Sequence, residues 1–454
     1  MTQTKNPHVL ETESIGKLLI QYSIPAIIAM TVTSVYNIVD SIFIGHGVGP
    51  LAISGLALTF PLMNLIIAFS TLIGVGGAAI SSIYLGQKDD LKATEVLHNV
   101  LILCILTGIC FGGITYYFLD EILIFFGATS ETIPYAREFM RIILYGTPIS
   151  YVFIGLNNLM RATGYPKKAM ISALLSVLVN VILAPIFIFK LEWGISGAAL
   201  ATICGQFSAF IWVLFHFMSK NSFIHFKMNN RWFTPTIIQR IYAIGLSPFL
   251  MNVCACAIVI IINNSLQNYG GDMAIGAYGI INRLLTLYVM IVLGLTMGMQ
   301  PIVGYNFGAQ KIDRVKQTLR LGIISGVVIT SSGFVICEFF PHAVSALFTD
   351  SDELIDLAVG GIRLTVLMFP FVGAQIVIGN FFQSIGKAKI SIFLSLTRQL
   401  LYLLPCLLLF PNWWGLEGIW ISMPVSDALA FITAVVSLMI YIKKVSKLHP
   451  VVAE

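Results

Sequence analysis

Long segments of this 454-residue chain contain no charged side chain. Residues 193–219 and 241–271 hold no Asp, Glu, Lys or Arg, and most of their side chains are apolar. A helix needs about 20 apolar residues to cross a bilayer core of roughly 30 Å. Over the whole chain only 10% of residues are charged, against about 25% in a typical soluble protein. The chain is therefore predicted to be an integral membrane protein.

Apolar runs between charged or Gly/Pro-bearing breaks predict twelve transmembrane helices. The predicted fold class is an all-α membrane protein with two six-helix bundles. With twelve spans, both ends of the chain lie on the same side of the membrane. The predicted helices lie near residues 17–44, 52–84, 93–118, 135–160, 168–189, 195–218, 237–268, 276–306, 316–340, 357–382, 388–410 and 417–442.

The connecting loops alternate in charge along the chain. Because cytoplasmic loops are enriched in Lys and Arg, the basic set predicts a multi-pass protein of the plasma (inner) membrane with both termini in the cytoplasm. The basic loops and termini carry Lys5, Lys17, Lys88, Lys92, Arg161, Lys167, Lys168, Lys220, Lys227, Arg231, Arg240, Lys311, Arg314, Lys316, Arg320, Lys387, Lys389, Lys443, Lys444 and Lys447. The opposite loops are acidic and carry Asp120, Glu121, Glu131, Glu192, Asp272, Asp350, Asp352 and Glu353.

The two halves of the chain resemble each other at an offset of about 222 residues. Gly86-Gln87-Lys88 matches Gly308-Ala309-Gln310-Lys311, Asn158 matches Asn380, and Gly164 matches Gly386. The segment Trp193-Gly194-Ile195-Ser196-Gly197 likewise matches Trp414-Gly415-Leu416-Glu417-Gly418. Such a repeat indicates that a six-span unit was duplicated. Two copies of equal orientation place a cleft between them near the midplane, where transporters bind cargo.

The repeat also predicts the domain organisation. Residues 1–218 form an amino-terminal six-helix lobe, and residues 237–454 form a carboxy-terminal lobe that ends in a short basic tail. Residues 219–236, the longest connection, form a cytoplasmic linker between the lobes.

Asp40 is the sharpest candidate for a functional residue. It lies in the first predicted span with no basic residue within helical reach, and a charge in that position costs about 2.5–3.5 kcal/mol. A buried carboxyl of this kind is suited to carry a proton or a cation. A carboxylate that only stabilises packing is the open alternative. The repeat mate of Asp40 is Asn263, which does not ionise, so coupling is predicted to reside in the amino-terminal lobe.

Three further charged residues lie deep in predicted spans of the second half. Asp427 is predicted to pair with Arg398 or Arg283, which would neutralise charge inside the carboxy-terminal lobe, and a coupling role is the alternative. In the first span Pro25 is a candidate hinge, although membrane prolines are often tolerated kinks. Tyr36, Asn37, Asn157 and Gln206 are candidate cavity-lining residues of the amino-terminal lobe.

The sequence lacks the motifs of several function classes. It has no phosphate-binding GxxxxGK[ST] loop, no GxSxG motif, no HExxH pair and no clustered His/Cys set. The net charge of +5 is distributed over membrane loops, so nucleic acid is not a predicted partner. We expect no enzymatic activity, no cofactor and no metal site, and an ion gradient as the energy source.

Several features together resemble the multidrug and toxic compound extrusion (MATE) transporters, in particular their DinF/MepA-like branch. They are Ile24-Pro25, the segment Asn37-Ile38-Val39-Asp40-Ser41-Ile42-Phe43-Ile44-Gly45, the six-plus-six layout, and the second and eighth spans that end in glycine. The resemblance covers nearly the whole chain. It implies a V-shaped pair of bundles that exports organic cations and other amphiphiles in exchange for protons or sodium.

The resemblance also implies a hydrogen-bonded network in the amino-terminal lobe, formed by Asp40, Asn180 and Thr202. Many relatives have a second Asp four residues after the Asn, where this chain has Ala184. A sodium site favours several oxygen ligands and compensating negative charge. With one carboxylate the prediction is proton coupling, and sodium stays open.

The predicted partners are small cationic or amphiphilic substrates and membrane lipids, and the oligomeric state is undetermined. One alternative is a flippase for a lipid-linked oligosaccharide, whose cleft should be rich in Arg and Lys for pyrophosphate. Another is a membrane-embedded enzyme or a non-transport subunit. Neither a catalytic cluster nor long loops are present to favour these.

Overall fold

The computed structural model describes residues 9–220, 222–227, 231–349 and 351–448. Within these ranges it describes every side chain except those of 37–38, 41–42, 45–46, 50, 53 and 445–448. The described residues form helices and connecting turns, with no β-strand among them.

The first half of the chain forms six long helices, which we call spans one to six. Their bounds are Ile15–Gly47, Pro50–Gly86, Asp90–Tyr117, Ile133–Ala162, Pro166–Pro185 and Gly194–Met218. The fifth continues through a π-helical turn, Ile186–Lys190. Several of them begin with proline in the first turn, where the missing N–H leaves no helical hydrogen bond unmade. Two short helices, Val9–Thr12 and Leu119–Phe125, were not predicted.

The second half begins with a single stretch of 74 helical residues, Pro235–Gly308, which is broken at Gly271. At about 1.5 Å per residue this stretch is far longer than a bilayer is thick, so it supplies spans seven (235–270) and eight (272–308). Span nine is Ile312–Phe339. Span ten is the bent pair Asp352–Thr365 and Phe369–Ser384, whose axes meet at 55°.

Spans eleven and twelve end the chain. Span eleven consists of Ala388–Leu396, the π-helical segment Thr397–Leu403 and Leu404–Leu409, and span twelve is Pro411–Leu448, broken at Gly415. A further short helix, Pro341–Ala346, precedes span ten. With the bent pair counted as one span and the 74-residue stretch as two, the described residues contain the twelve spans that the sequence predicts.

The backbone itself shows the internal repeat. Lys88 and Gln310, which are 222 residues apart, have φ angles of 60° and 59°. Positive φ also recurs at the pairs Gly49 and Gly271, Gly164 and Gly386, and Gly194 and Gly415. Helix bounds follow the same offset, since Asp90–Tyr117 and Leu119–Phe125 correspond to Ile312–Phe339 and the start at Pro341. The predicted duplication is thereby confirmed, whereas the lobe boundaries at 218 and 237 stay a prediction.

The two halves meet along a seam where backbone packs on backbone. A Cβ atom added to Gly86 would lie 1.9 Å from the carbonyl oxygen of Tyr305, and one added to Gly308 would lie 2.1 Å from that of Ile83. These two contacts are related by the repeat offset, as expected for a pseudo-two-fold interface. Glycine is required there because any side chain would hold the spans apart.

The seam lies at the basic side, which we define as the side where the basic loops lie. Gly76 and Gly245 make further close contacts between spans two and seven, and Gly298 packs on Ser23 of span one. Farther from the basic loops, the rings of Phe69 and Phe249 lie 4.9 Å apart. The closest approaches between the halves are thus at the basic ends of the spans, which leaves the cleft to open toward the acidic loops.

Candidate functional site

Three polar side chains of the amino-terminal half meet inside the membrane. The Asn180 amide of span five donates a hydrogen bond of 3.0 Å from Nδ2 to the Thr202 hydroxyl of span six. The Tyr36 hydroxyl of span one lies 3.4 Å from the same Thr202 oxygen. Thr202 also donates to the Ala198 carbonyl, which fixes its hydroxyl in the helix. Spans one, five and six therefore share a polar point of contact.

Asp40 lies one helical turn from Tyr36 on span one, and the two groups interact electrostatically. The Oδ1 atom of Asp40 is buried, and no hydrogen-bond donor reaches it among the described residues. The Oδ1 atom of Asn180 is likewise buried and receives no hydrogen bond within that part of the chain. Unpaired buried acceptors are expensive, so this site is prepared for a proton or a cation to arrive.

The chemistry of the site follows from these two acceptor oxygens. A proton on Asp40 would turn one acceptor into a donor, which would satisfy a neighbouring oxygen. A metal cation would need several oxygen ligands around it. Ala184, at the position of the second carboxylate of many relatives, is fully buried and offers none. Within the described residues, no cluster of three or more His, Cys, Asp or Glu side chains has the geometry of a metal site.

The predicted cavity-lining residues have different surroundings. Gln206 accepts a short hydrogen bond from the Ser150 hydroxyl, between spans six and four. The buried Asn157 donates to the Ala169 carbonyl and to Ser172, and its own oxygen accepts from Arg161.

Because the polar atoms of Asn157 are already engaged, its contacts favour a structural role over cargo binding. The side chain of Asn37 lies outside the described residues. Pro25 lies within the uninterrupted first helix, two residues beyond Ser23, whose hydroxyl donates to the Leu295 carbonyl of the other half. Its role as a hinge stays a prediction.

The carboxy-terminal half contains the deep ion pair that the sequence suggests. The Arg398 Nε atom lies 2.7 Å from Oδ1 of Asp427. Arg283, the other proposed partner, has an exposed side chain and forms no ion pair with any described residue.

Two polar contacts of the site were missed by reasoning from the sequence. Ser150, which donates to Gln206, has no signal beyond being a serine in a span. The Tyr402 hydroxyl lies 2.8 Å from that of Thr433, between spans eleven and twelve. Tyr402 is the repeat mate of Asn180, so applying the 222-residue offset to the site would have identified it.

A family model matches the chain twice, at residues 25–186 and 245–408, and its description is MatE. The two matches cover most of the chain and repeat the internal duplication. The chain belongs to the MATE family. It is a multidrug efflux transporter by family, and not an enzyme.

Other MATE transporters are similar to it over nearly their whole length. The multidrug export protein MepA of Staphylococcus haemolyticus (strain JCSC1435) is 30% identical over 92% of both chains. A solved structure of the MATE multidrug transporter DinF-BH is 34% identical and covers 97% of this chain and 98% of its own, with a TM-score of 0.88. An outward-facing MATE structure, 24% identical with a TM-score of 0.91 and coverage of 98% and 100%, shares the fold.

Proposed function

We propose that this MATE transporter is an antiporter that exports organic cations and other amphiphiles in exchange for inward protons. The observation that carries the proposal is the buried, unpaired Oδ1 atom of Asp40 beside the Tyr36–Thr202–Asn180 cluster. A single carboxylate there binds either a proton or the positive charge of a cargo, and competition between the two couples their movements.

Protons are proposed over sodium because the site has one carboxylate. Ala184 adds no oxygen to it, and the other buried acceptor, on Asn180, is neutral. Exchange of one proton for one monovalent cation moves no net charge, so the pH difference alone drives it. Each pH unit supplies about 1.36 kcal/mol, which supports a roughly tenfold gradient of cargo.

The placement in the membrane belongs to the same proposal. The basic loops support a plasma-membrane protein with both termini in the cytoplasm. In that orientation the glycine seam closes the cytoplasmic side, and the cleft between lobes 1–218 and 237–454 faces outward. The linker 219–236 then lies in the cytoplasm.

The test measures efflux of a fluorescent cation from proteoliposomes under separately imposed proton and sodium gradients. Wild-type protein is expected to respond to the proton gradient, and Asp40→Asn to lose that response. Asp272→Asn is the matched control, because it removes an exposed carboxylate from an acidic loop. Ala184→Asp restores the second carboxylate and is expected to add a response to sodium.

Different outcomes would contradict different parts of the proposal. Sodium-driven efflux that ignores the proton gradient would overturn proton coupling. Unchanged efflux in Asp40→Asn would remove Asp40 from the coupling mechanism. Failure of the wild type to move any cation would overturn the cargo class and favour a lipid flippase.

A further inference from the structure

The carboxy-terminal half contains a charged pair at about the depth of the bilayer centre. Arg398 lies ten residues into span eleven, about 15 Å from its basic end, and Asp427 lies about 18 Å beyond the break at Gly415. Asp427 is buried, with 8% of its side chain exposed, whereas Arg398 exposes 32%. A partly exposed guanidinium at this depth has to face a water-filled cavity, because exposure to lipid is costly.

The repeat places this pair in the interior of its lobe. Arg398 lies one turn from Tyr402 on span eleven, and Tyr402 corresponds to Asn180 of the proposed coupling site. Residues one turn apart share a helix face. The pair therefore projects from the helix face that corresponds to the one bearing Asn180, displaced by one turn toward the basic side.

The corresponding residues of the amino-terminal half are Ser176 and Gly205. A Cβ atom at Gly205 would lie 2.4 Å from the Ser176 carbonyl oxygen, so spans five and six pack there without room for side chains. In the carboxy-terminal half the same positions hold two large charged side chains. The π-helical segment Thr397–Leu403 accommodates them, and it aligns with regular α-helix in span five. Such π-helical turns are frequent at functional sites.

The geometry of the pair leaves the guanidinium available for a further anion. Arg398 contacts Asp427 through Nε, at 2.7 Å. Its two terminal Nη groups make no hydrogen bond with any described residue. Asp427 thus holds the base of the guanidinium, and the Nη atoms remain free to donate. A guanidinium with free N–H groups binds carboxylates and phosphates in a directed way.

We propose that Arg398 is an anion-binding subsite for the carboxylate of zwitterionic or acidic cargo, with Asp427 as its positioning residue. This inference rests on the proposed export of amphiphiles and names a substrate class for the second lobe. Asp40 receives the positive group of such a cargo in one lobe, and Arg398 receives its negative group in the other. Arg283, exposed on span eight, adds positive charge to the same half.

The test compares two dyes that differ in one group. Rhodamine 6G is an ethyl ester and a cation, and rhodamine 19 is its free acid, a zwitterion at neutral pH. Kd values of both are measured by fluorescence polarisation on purified full-length transporter. Wild-type protein is expected to bind both dyes.

The double variant Arg398→Gln with Asp427→Asn removes both charges, so neither is left buried and unpaired. We expect the ratio of the rhodamine 19 Kd to the rhodamine 6G Kd to rise at least tenfold, equivalent to about 1.4 kcal/mol. Arg398→Lys keeps the charge without the planar N–H array and is expected to raise the ratio about threefold. Asp427→Asn alone leaves Arg398 uncompensated and is expected to lower it.

Arg283→Gln is the matched control, since it removes an exposed guanidinium from the same half. A similar rise in the ratio in this variant would overturn the specific role of Arg398. An unchanged ratio in the double variant, or wild-type protein that binds only the ester, would also overturn the inference and leave the multidrug proposal standing. Wild-type protein that binds neither dye would instead count against the proposed function.

Phosphate of a lipid head group has the same chemistry as a cargo anion. Titration with phosphatidylglycerol distinguishes the two sources. Displacement of rhodamine 19 but not of rhodamine 6G, lost in the double variant, would assign the subsite to lipid and overturn the cargo assignment. No displacement supports the cargo assignment.

Discussion

The two halves of this transporter are built from one repeat, yet they differ in the same layer of the membrane. In the amino-terminal half, Ser176 and Gly205 bring spans five and six into backbone contact, and Asp40 is the ionisable group nearby. In the carboxy-terminal half the corresponding positions hold Arg398 and Asp427. One lobe is closed and carries a single acid, while the other is opened by a charged pair. A duplicated scaffold can thus keep its topology while its halves take different electrostatic roles.

The largest predicted effect concerns the ion pair. Arg398→Met leaves Asp427 as an uncompensated buried charge and is expected to cost about 3–5 kcal/mol of stability. Arg398→Met combined with Asp427→Leu removes both charges and is expected to be neutral or stabilising. Thermal unfolding of the detergent-solubilised protein measures both, with Ser176→Ala as the control in the other half. Equal loss in the single and double variants would mean that packing, and not charge, dominates.

The second prediction concerns the closed layer of the amino-terminal half. Gly205→Ala places a methyl group against the Ser176 carbonyl, so spans five and six must separate. The expected loss is about 1–3 kcal/mol, typical of overpacking. Gly279→Ala is a suitable control, because nothing lies within 4 Å of a Cβ atom there. A Gly205→Ala protein as thermostable as this control would show that the layer yields easily.

The third prediction separates the two acids by their pH response. Binding of a permanently charged cation should weaken up to tenfold per unit as pH falls through the titration of Asp40, because protons compete for that carboxylate. Asp40→Asn is expected to abolish this dependence, whereas Asp427→Asn is expected to retain it, since Arg398 compensates Asp427 in the native protein. The measurement is a series of binding isotherms across pH. Loss of the dependence in Asp427→Asn instead would move coupling to the other half.

The smallest effect compares two corresponding hydroxyl contacts. Tyr402→Phe removes a contact of 2.8 Å with Thr433, and Tyr36→Phe removes one of 3.4 Å with Thr202. Hydrogen bonds between membrane helices contribute about 0.6 kcal/mol on average. The shorter contact should contribute more, so the melting temperature should fall further for Tyr402→Phe. The reverse order would show that the two clusters are not equivalent in stability.

Much of the architecture could be predicted because lipid imposes strict rules on sequence. Charges are so rare in the spans that Asp40 and the Asp427–Arg398 pair stood out, and the repeat offset of 222 residues is matched by the backbone pairs Lys88/Gln310 and Gly164/Gly386. The break between spans seven and eight was predicted within 269–275, and it falls at Gly271.

Other features leave no readable mark in the sequence. The π-helical segment Thr397–Leu403 contains neither Gly nor Pro, since it is produced by packing between helices. Asn157 was a reasonable candidate for the cavity by type, but its hydrogen bonds depend on which face of span four it occupies. Sequence periodicity is weak in spans that are apolar on every side, so such faces could not be assigned.

The seam of glycines at the basic side has a consequence for how the protein responds to its surroundings. Its contacts at Gly86 and Gly308 join uncharged backbone to uncharged backbone, with no room for an ion or a water molecule between them. Dissolved salt screens charges and leaves dispersion contacts untouched. The closed gate is therefore a dry joint, whose strength is set by fit and temperature and stays constant across the range of ionic strengths that a cell encounters.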